Sequence, residues 1–201
     1  MNRKALMMFI ILSLGGIILA QERLVGNGSE ENTEKEIHQR LINRLIEKSV
    51  KIDLTDDSIK RAELFNEMAT DLVEATNELS KKNRIKEAEN MASLYSKIVE
   101  KGIFGNLSRV KDFRKKGTKN AYERILKATQ KHEEVLRRVL EKVPEPGKKG
   151  ILRALEVSKR GRMKALENMK RKGKPNWAGP SKNKGKGKEG KDYRKKKKRD
   201  K

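Results

Sequence analysis

From Thr33 to Met169 apolar residues recur at intervals of three and four, the pattern of helices with one buried face, and no stretch alternates as a strand would. Ile37, Leu41, Ile42, Leu45 and Ile46 form the first stripe, behind Thr33-Glu34-Lys35-Glu36, which has the spacing of a capping box. Thr55-Asp56-Asp57 predicts the start of a second helix, because a hydroxyl cap and carboxylates suit the positive end of a helix dipole. Its stripe is Ala62, Phe65, Ala69, Leu72, Thr76 and Leu79. Ile85, Ala88, Ala92, Tyr95 and Val99 mark a third helix, with Gly102 placed to stop it. A short segment holding Leu107, Val110 and Phe113 precedes Gly117. Tyr122, Ile125, Thr129, His132, Leu136, Val139 and Val143 then mark a long helix, ended by Pro144 and Pro146.

The last helix differs in kind. Its face carries Ile151, Ala154, Ser158, Gly161 and Ala165, most of them small. Such a face predicts close helix packing at Ser158, Gly161 and Ala165, within the chain first and between two copies as the alternative. The expected fold class is all-α, an elongated helical bundle or antiparallel helical hairpins over residues 33–170. About 140 residues suffice to bury a core, though narrow stripes and abundant lysine point to a lightly packed body.

The two ends read differently from this body. Arg3 and Lys4 precede an uninterrupted apolar run from Ala5 to Ala20, the layout of a secretory signal peptide over residues 1–20, with the cut between Ala20 and Gln21. An uncleaved membrane anchor is the competing reading, but the run is shorter than the roughly 20 residues a span needs. Residues 21–32 read as a flexible leader, and the mature chain is expected outside the cell or on its envelope. Residues 171–201 are rich in lysine and glycine and almost free of aliphatic side chains, so they are expected to be disordered.

Charge sharpens the contrast. The segment 21–80 holds 8 basic and 14 acidic residues, 81–170 holds 26 and 11, and 171–201 holds 15 and 3. A chain that grows this basic towards one end steers that end to anionic surfaces. The candidate polyanion-binding residues are Lys182, Lys184, Lys186, Lys188, Lys191, Arg194, Lys195, Lys196, Lys197, Lys198 and Arg199. Trp177 and Tyr193 are candidate interfacial anchors, able to settle at a lipid surface or stack on a base.

Reaction chemistry is scarce. There is no cysteine, which excludes thiol catalysis and thiolate metal sites. His38 and His132 are the two histidines, and neither stands in a Glu-x-x-His or His-Glu-x-x-His pattern. His132 lies on an apolar stripe, where an imidazole bonded to a neighbouring helix is the expectation rather than a ligand. Asp53, Asp56 and Asp57 lack calcium-loop spacing and fit helix capping better. The glycines of "SKNKGKGKEGK" neither follow a strand nor open a helix, so they do not form a phosphate-binding turn. No enzymatic activity and no cofactor are expected.

The segment "HEEVLRRVLEKVPEPGKKGILRALEVSKRGRMKALENM" resembles the terminal helical hairpin of an exported bacterial family known as a domain of unknown function. Val143-Pro144-Glu145 and Ser158-Lys159-Arg160-Gly161 carry the likeness, and the preceding "AELFNEMATDLVEATNELSKKNRIKEAENMASLYSKIVEKG", Ala62 to Gly102, is similar to that family's first hairpin. The resemblance covers roughly Asp56 to Met169. It departs at Gly147, where a better helix former would stand, and at Arg162, where histidine would stand. It implies a secreted helical bundle with no assigned activity.

Three roles follow from these features. The first is a secreted, non-catalytic helical protein whose tail binds anionic envelope material, wall polymer or lipid headgroups. The second is a sequence-nonspecific nucleic-acid binder. The third is a structural bundle that contacts another protein.

Overall fold

The computed structural model describes residues 30–110 and 116–173, and every regular element in it is helical. These elements are α1 (Glu30–Asp53), α2 (Ser58–Lys81), α3 (Ile85–Lys97), a π-helical stretch π1 (Ile98–Phe104), the single turn α4 (Gly105–Leu107), α5 (Lys116–Lys142) and α6 (Glu145–Gly173). α3, π1 and α4 follow one another without a break and act as one rod.

Two antiparallel hairpins make the body. In the first, α2 turns into α3 through Lys82, Asn83 and Arg84. The Arg84 amide donates to the Leu79 carbonyl at 2.9 Å and the Asn83 amide to Ser80 at 3.1 Å. Asn83 has φ 58°, a left-handed conformation that asparagine tolerates better than most residues. In the second hairpin, α5 and α6 meet at Val143 and Pro144. Pro146 lies in the first turn of α6, where a missing amide proton loses no helical bond.

The hairpins lie side by side in the same sense. Arg124 of α5 pairs with Glu63 of α2 at 2.6 Å, and one stage along His132 meets Thr70. α6 likewise tracks α3 and π1: Gly147 abuts Ile85, Gly150 abuts Glu89, and Tyr95 reaches Ser158. The stripes of all four rods therefore face inward together. Met68, Leu72, Met91, Tyr95, Ile98, Tyr122, Ile125, Leu136 and Ile151 are buried to within 1% of complete. Burial of residues this size, each contributing about 1.5–3 kcal/mol, is the main stabilising term.

α1 folds back along α2 and is held more lightly. Its buried side is His38, Leu41, Leu45, Ser49 and Ile52, while Ile46 is 46% exposed. The expected stripe ran through Ile46. With one strong neighbour, α1 needs only a narrow seam. The join is tightened by Asp71 of α2, whose largely buried carboxylate accepts from Lys48 Nζ at 2.6 Å and pairs with Arg44 at 3.2 Å.

Several sequence boundaries move. α1 begins at Glu30 rather than behind a Thr33 cap. The cap of α2 is Asp57, whose carboxylate accepts from the Ile59 and Lys60 amides, while the Thr55 hydroxyl donates back to the Lys51 carbonyl. A carboxylate two residues nearer the dipole simply outcompetes the hydroxyl. Gly102 does not stop its helix; π1 continues through it to Phe104. Gly117 lies inside α5, and Phe113 falls outside the described residues.

Replacing Asp71 with alanine removes the carboxylate that Lys48 and Arg44 share and leaves Lys48 the longer pair with Glu67 at 3.9 Å. The expected loss is about 1–3 kcal/mol, seen by hydrogen exchange as faster opening of α1 amides than of those in α5 and α6.

Candidate functional site

The stripe of α5 is apolar except at Thr129 and His132, and the residue after His132 is Glu133, also buried at 3% exposure. An α-helix places neighbours about 100° apart, so His132 faces α2 and α3 while Glu133 faces α6. The fold brings four helices to this pair.

On one side, Thr70 Oγ1 donates to the Asn66 carbonyl at 3.0 Å and lies 2.9 Å from His132 Nε2. The hydroxyl proton is already committed, so Nε2 carries the proton of the neutral ring and donates to Thr70. Nδ1 is buried without a partner. The Tyr95 ring stands edge-on to the imidazole, centroids 5.7 Å apart at 83°. Burial holds the His132 pKa down to about 4, because a second proton on Nδ1 would be a buried donor with no acceptor.

On the other side, Tyr95 Oη donates to Ser158 Oγ at 3.2 Å, and Ser158 Oγ donates to Glu133 Oε1 at 3.4 Å. Arg162 Nε and Nη2 grip the two Glu133 oxygens at 2.9 and 3.1 Å. This two-pronged pairing fixes both position and rotation of the carboxylate. Burial drives the Tyr95 phenol well above its ordinary range, and Glu133 raises the guanidinium of Arg162 further. Thr70, Tyr95, His132, Glu133, Ser158 and Arg162 thus form a chain of polar contacts linking α2, α3, α5 and α6. Its members neutralise one another in place, so the cluster specifies helix register.

Ser158, Gly161 and Ala165, singled out in the sequence, lie along the inner side of α6. Ser158 is fully buried, and the Ala165 carbonyl accepts from Tyr122 Oη at 3.3 Å. Gly161 abuts π1, where a Cβ would sit 2.1 Å from the Phe104 ring. Gly147 and Gly150 continue the same face towards the start of α6, with Cβ positions 2.1 Å from Ile85 and 2.4 Å from Glu89. Sequence reading missed these two, since glycine beside Pro144 and Pro146 reads as turn punctuation. Their spacing from Ala154 and Ser158 was the available signal.

Charge is unequal between the hairpins. Residues 58–107 hold 8 basic and 8 acidic side chains, whereas 116–170 hold 16 and 7. Lys97 lies within electrostatic range of both Lys101 and Arg153 of α6. Burial first, then repulsion from both neighbours, lowers the Lys97 pKa. Among the described residues no group of three or more histidines and carboxylates is arranged to hold a metal ion, and no helix is long and apolar enough to cross a membrane.

The polyanion candidates Lys182, Lys184, Lys186, Lys188, Lys191 and 194–199, the anchors Trp177 and Tyr193, and the cut site Ala20–Gln21 lie outside the described residues.

A family model described as a domain of unknown function (DUF5667) matches residues 41–146, more than half of the chain, and the chain belongs to that family. The match takes in Val143-Pro144-Glu145 and ends before Ser158-Lys159-Arg160-Gly161. No curated protein and no solved structure matches.

Two outcomes are expected. A folded-state pKa of about 4 for His132 against an ordinary 6.5 means stability is complete above pH 6.5 and falls as the pH drops towards 4. The loss approaches about 3 kcal/mol. Denaturant unfolding at a series of pH values should show this component in the native protein and not in His132→Gln. Separately, Gly161→Ala should destabilise by about 1–3 kcal/mol through collision with Phe104. Adding Phe104→Leu should recover part of that loss in thermal melts.

Proposed function

We propose that this member of the family is an exported, non-catalytic helical protein whose basic end captures polyanions of the cell envelope, acidic wall polymer or anionic lipid headgroups. One observation carries the reading. Positive charge rises along the chain in step with the architecture, from a neutral α2–α3 hairpin, to net +9 over residues 116–170, to net +12 over residues 171–201.

α6 belongs to the basic hairpin and leads directly into the basic tail. Folded cations and tail cations therefore adjoin, which gives an extended polymer more contacts than the tail alone. Each lysine near an anionic surface contributes on the order of 1 kcal/mol, so part of this set suffices for retention. The apolar run Ala5–Ala20 behind Arg3 and Lys4 supports export, and export supplies the envelope as the nearest polyanion.

The same charge supports a second reading, sequence-blind binding of nucleic acid, which would be as salt-sensitive. Location separates the two.

Cell fractionation with amino-terminal sequencing should place the mature chain outside the cytosol, beginning at Gln21. The envelope fraction should retain the full chain more strongly than a form lacking residues 171–201, and the difference should shrink as salt is raised. Equal retention removes the tail from the mechanism. An intact chain among ribosomes or chromosomal DNA, leader included, favours nucleic acid.

A further inference from the structure

The contact of Phe104 with Gly161 leaves a cleft of 240 Å³ between π1–α4, α5 and α6. Phe104 is the last residue of π1, and its ring meets α6 at Gly161, which has no side chain to hold it off. Single-turn π insertions are frequent where a helix has been adapted for binding.

The wall is divided by chemistry. Phe104, Leu107, Tyr122 and Val157 supply an apolar floor, and Arg160 and Lys164, one turn apart on α6, stand beside it. Arg160 is 72% exposed and meets Glu100, itself 54% exposed, at 3.4 Å. An exposed pair of this kind is worth about 0–1 kcal/mol, so an incoming anion displaces Glu100 at little cost. The volume lies just under the roughly 300 Å³ at which small-molecule sites begin, which suits one narrow chain and not two.

We propose that this cleft binds a free single-chain amphiphile with an anionic head, its chain on the Phe104–Val157 floor and its head between Arg160 and Lys164. The site is independent of polyanion capture by the tail. The tail needs charge density and no chain, whereas the cleft needs the chain, so high salt separates them.

Decanoate, decanol, decyltrimethylammonium and two-chain anionic vesicles are titrated into the full chain at high salt, with amide shifts and calorimetry as readouts. Decanoate should saturate one site and shift the Gly161 and Ala165 amides. Blocking the mouth at exposed Ser108 with Ser108→Trp should weaken it by about tenfold or more. The double variant Arg160→Gln, Lys164→Gln should weaken decanoate about two- to fivefold while leaving decanol unchanged. Both variants alter exposed positions, and an unchanged melting temperature verifies folding. Equal affinity for decanoate and the ammonium amphiphile, insensitivity to Ser108→Trp, or no saturable site overturns the proposal. Binding to vesicles without saturable binding of decanoate also overturns it, assigning the surface to a bilayer.

Discussion

The separation between α6 and the α3–π1 rod is the constraint on which the structure depends. Gly147, Gly150, Ala154, Ser158, Gly161 and Ala165 form a ladder of small residues at intervals of three and four. At Gly147 and Gly161 even a methyl group would collide with the opposite rod. Close approach is what lets Tyr95 touch Ser158, and through Ser158 reach Glu133. A bulkier ladder would push the hairpins apart, and the apolar stripes and the polar chain would lose contact together. The Gly102–Phe65 contact repeats the device inside the first hairpin.

The buried polar chain adds specificity to that proximity. Apolar stripes with regular spacing tolerate a slip of one turn, because another apolar residue arrives where the first stood. A bidentate Arg162–Glu133 pair and a single Thr70–His132 bond do not, since a slipped register strands a buried charge or donor. His132 pays for this with a depressed pKa, which ties the stability of the fold to neutral surroundings.

Charge is distributed by a different logic from packing. Inward faces of both hairpins are alike in character, yet only the second carries a net charge. Core formation does not demand that difference, because exposed lysines contribute little to stability. It agrees in direction with the basic segment beyond α6. The cleft beside Phe104 lies between the two hairpins, and its cations, Arg160 and Lys164, come from α6 of the basic one.

The all-α class and most core residues were readable directly, because helical periodicity is a local property that any window of the chain displays. The stripes from Ala62 to Leu79 and from Tyr122 to Val143 are buried throughout. Charge asymmetry was equally plain, being a sum over residues. Other features needed the partner helix. Gly102, Gly147 and Gly150 look like punctuation in one dimension and prove to be contact surfaces in three. The shift to π-helix at Ile98 has no local mark in the sequence. The Glu133–Arg162 pair joins residues on separate helices, and nothing in either neighbourhood names the other. Periodicity fixes which face of a helix is buried, but only the assembled bundle decides what that face is buried against.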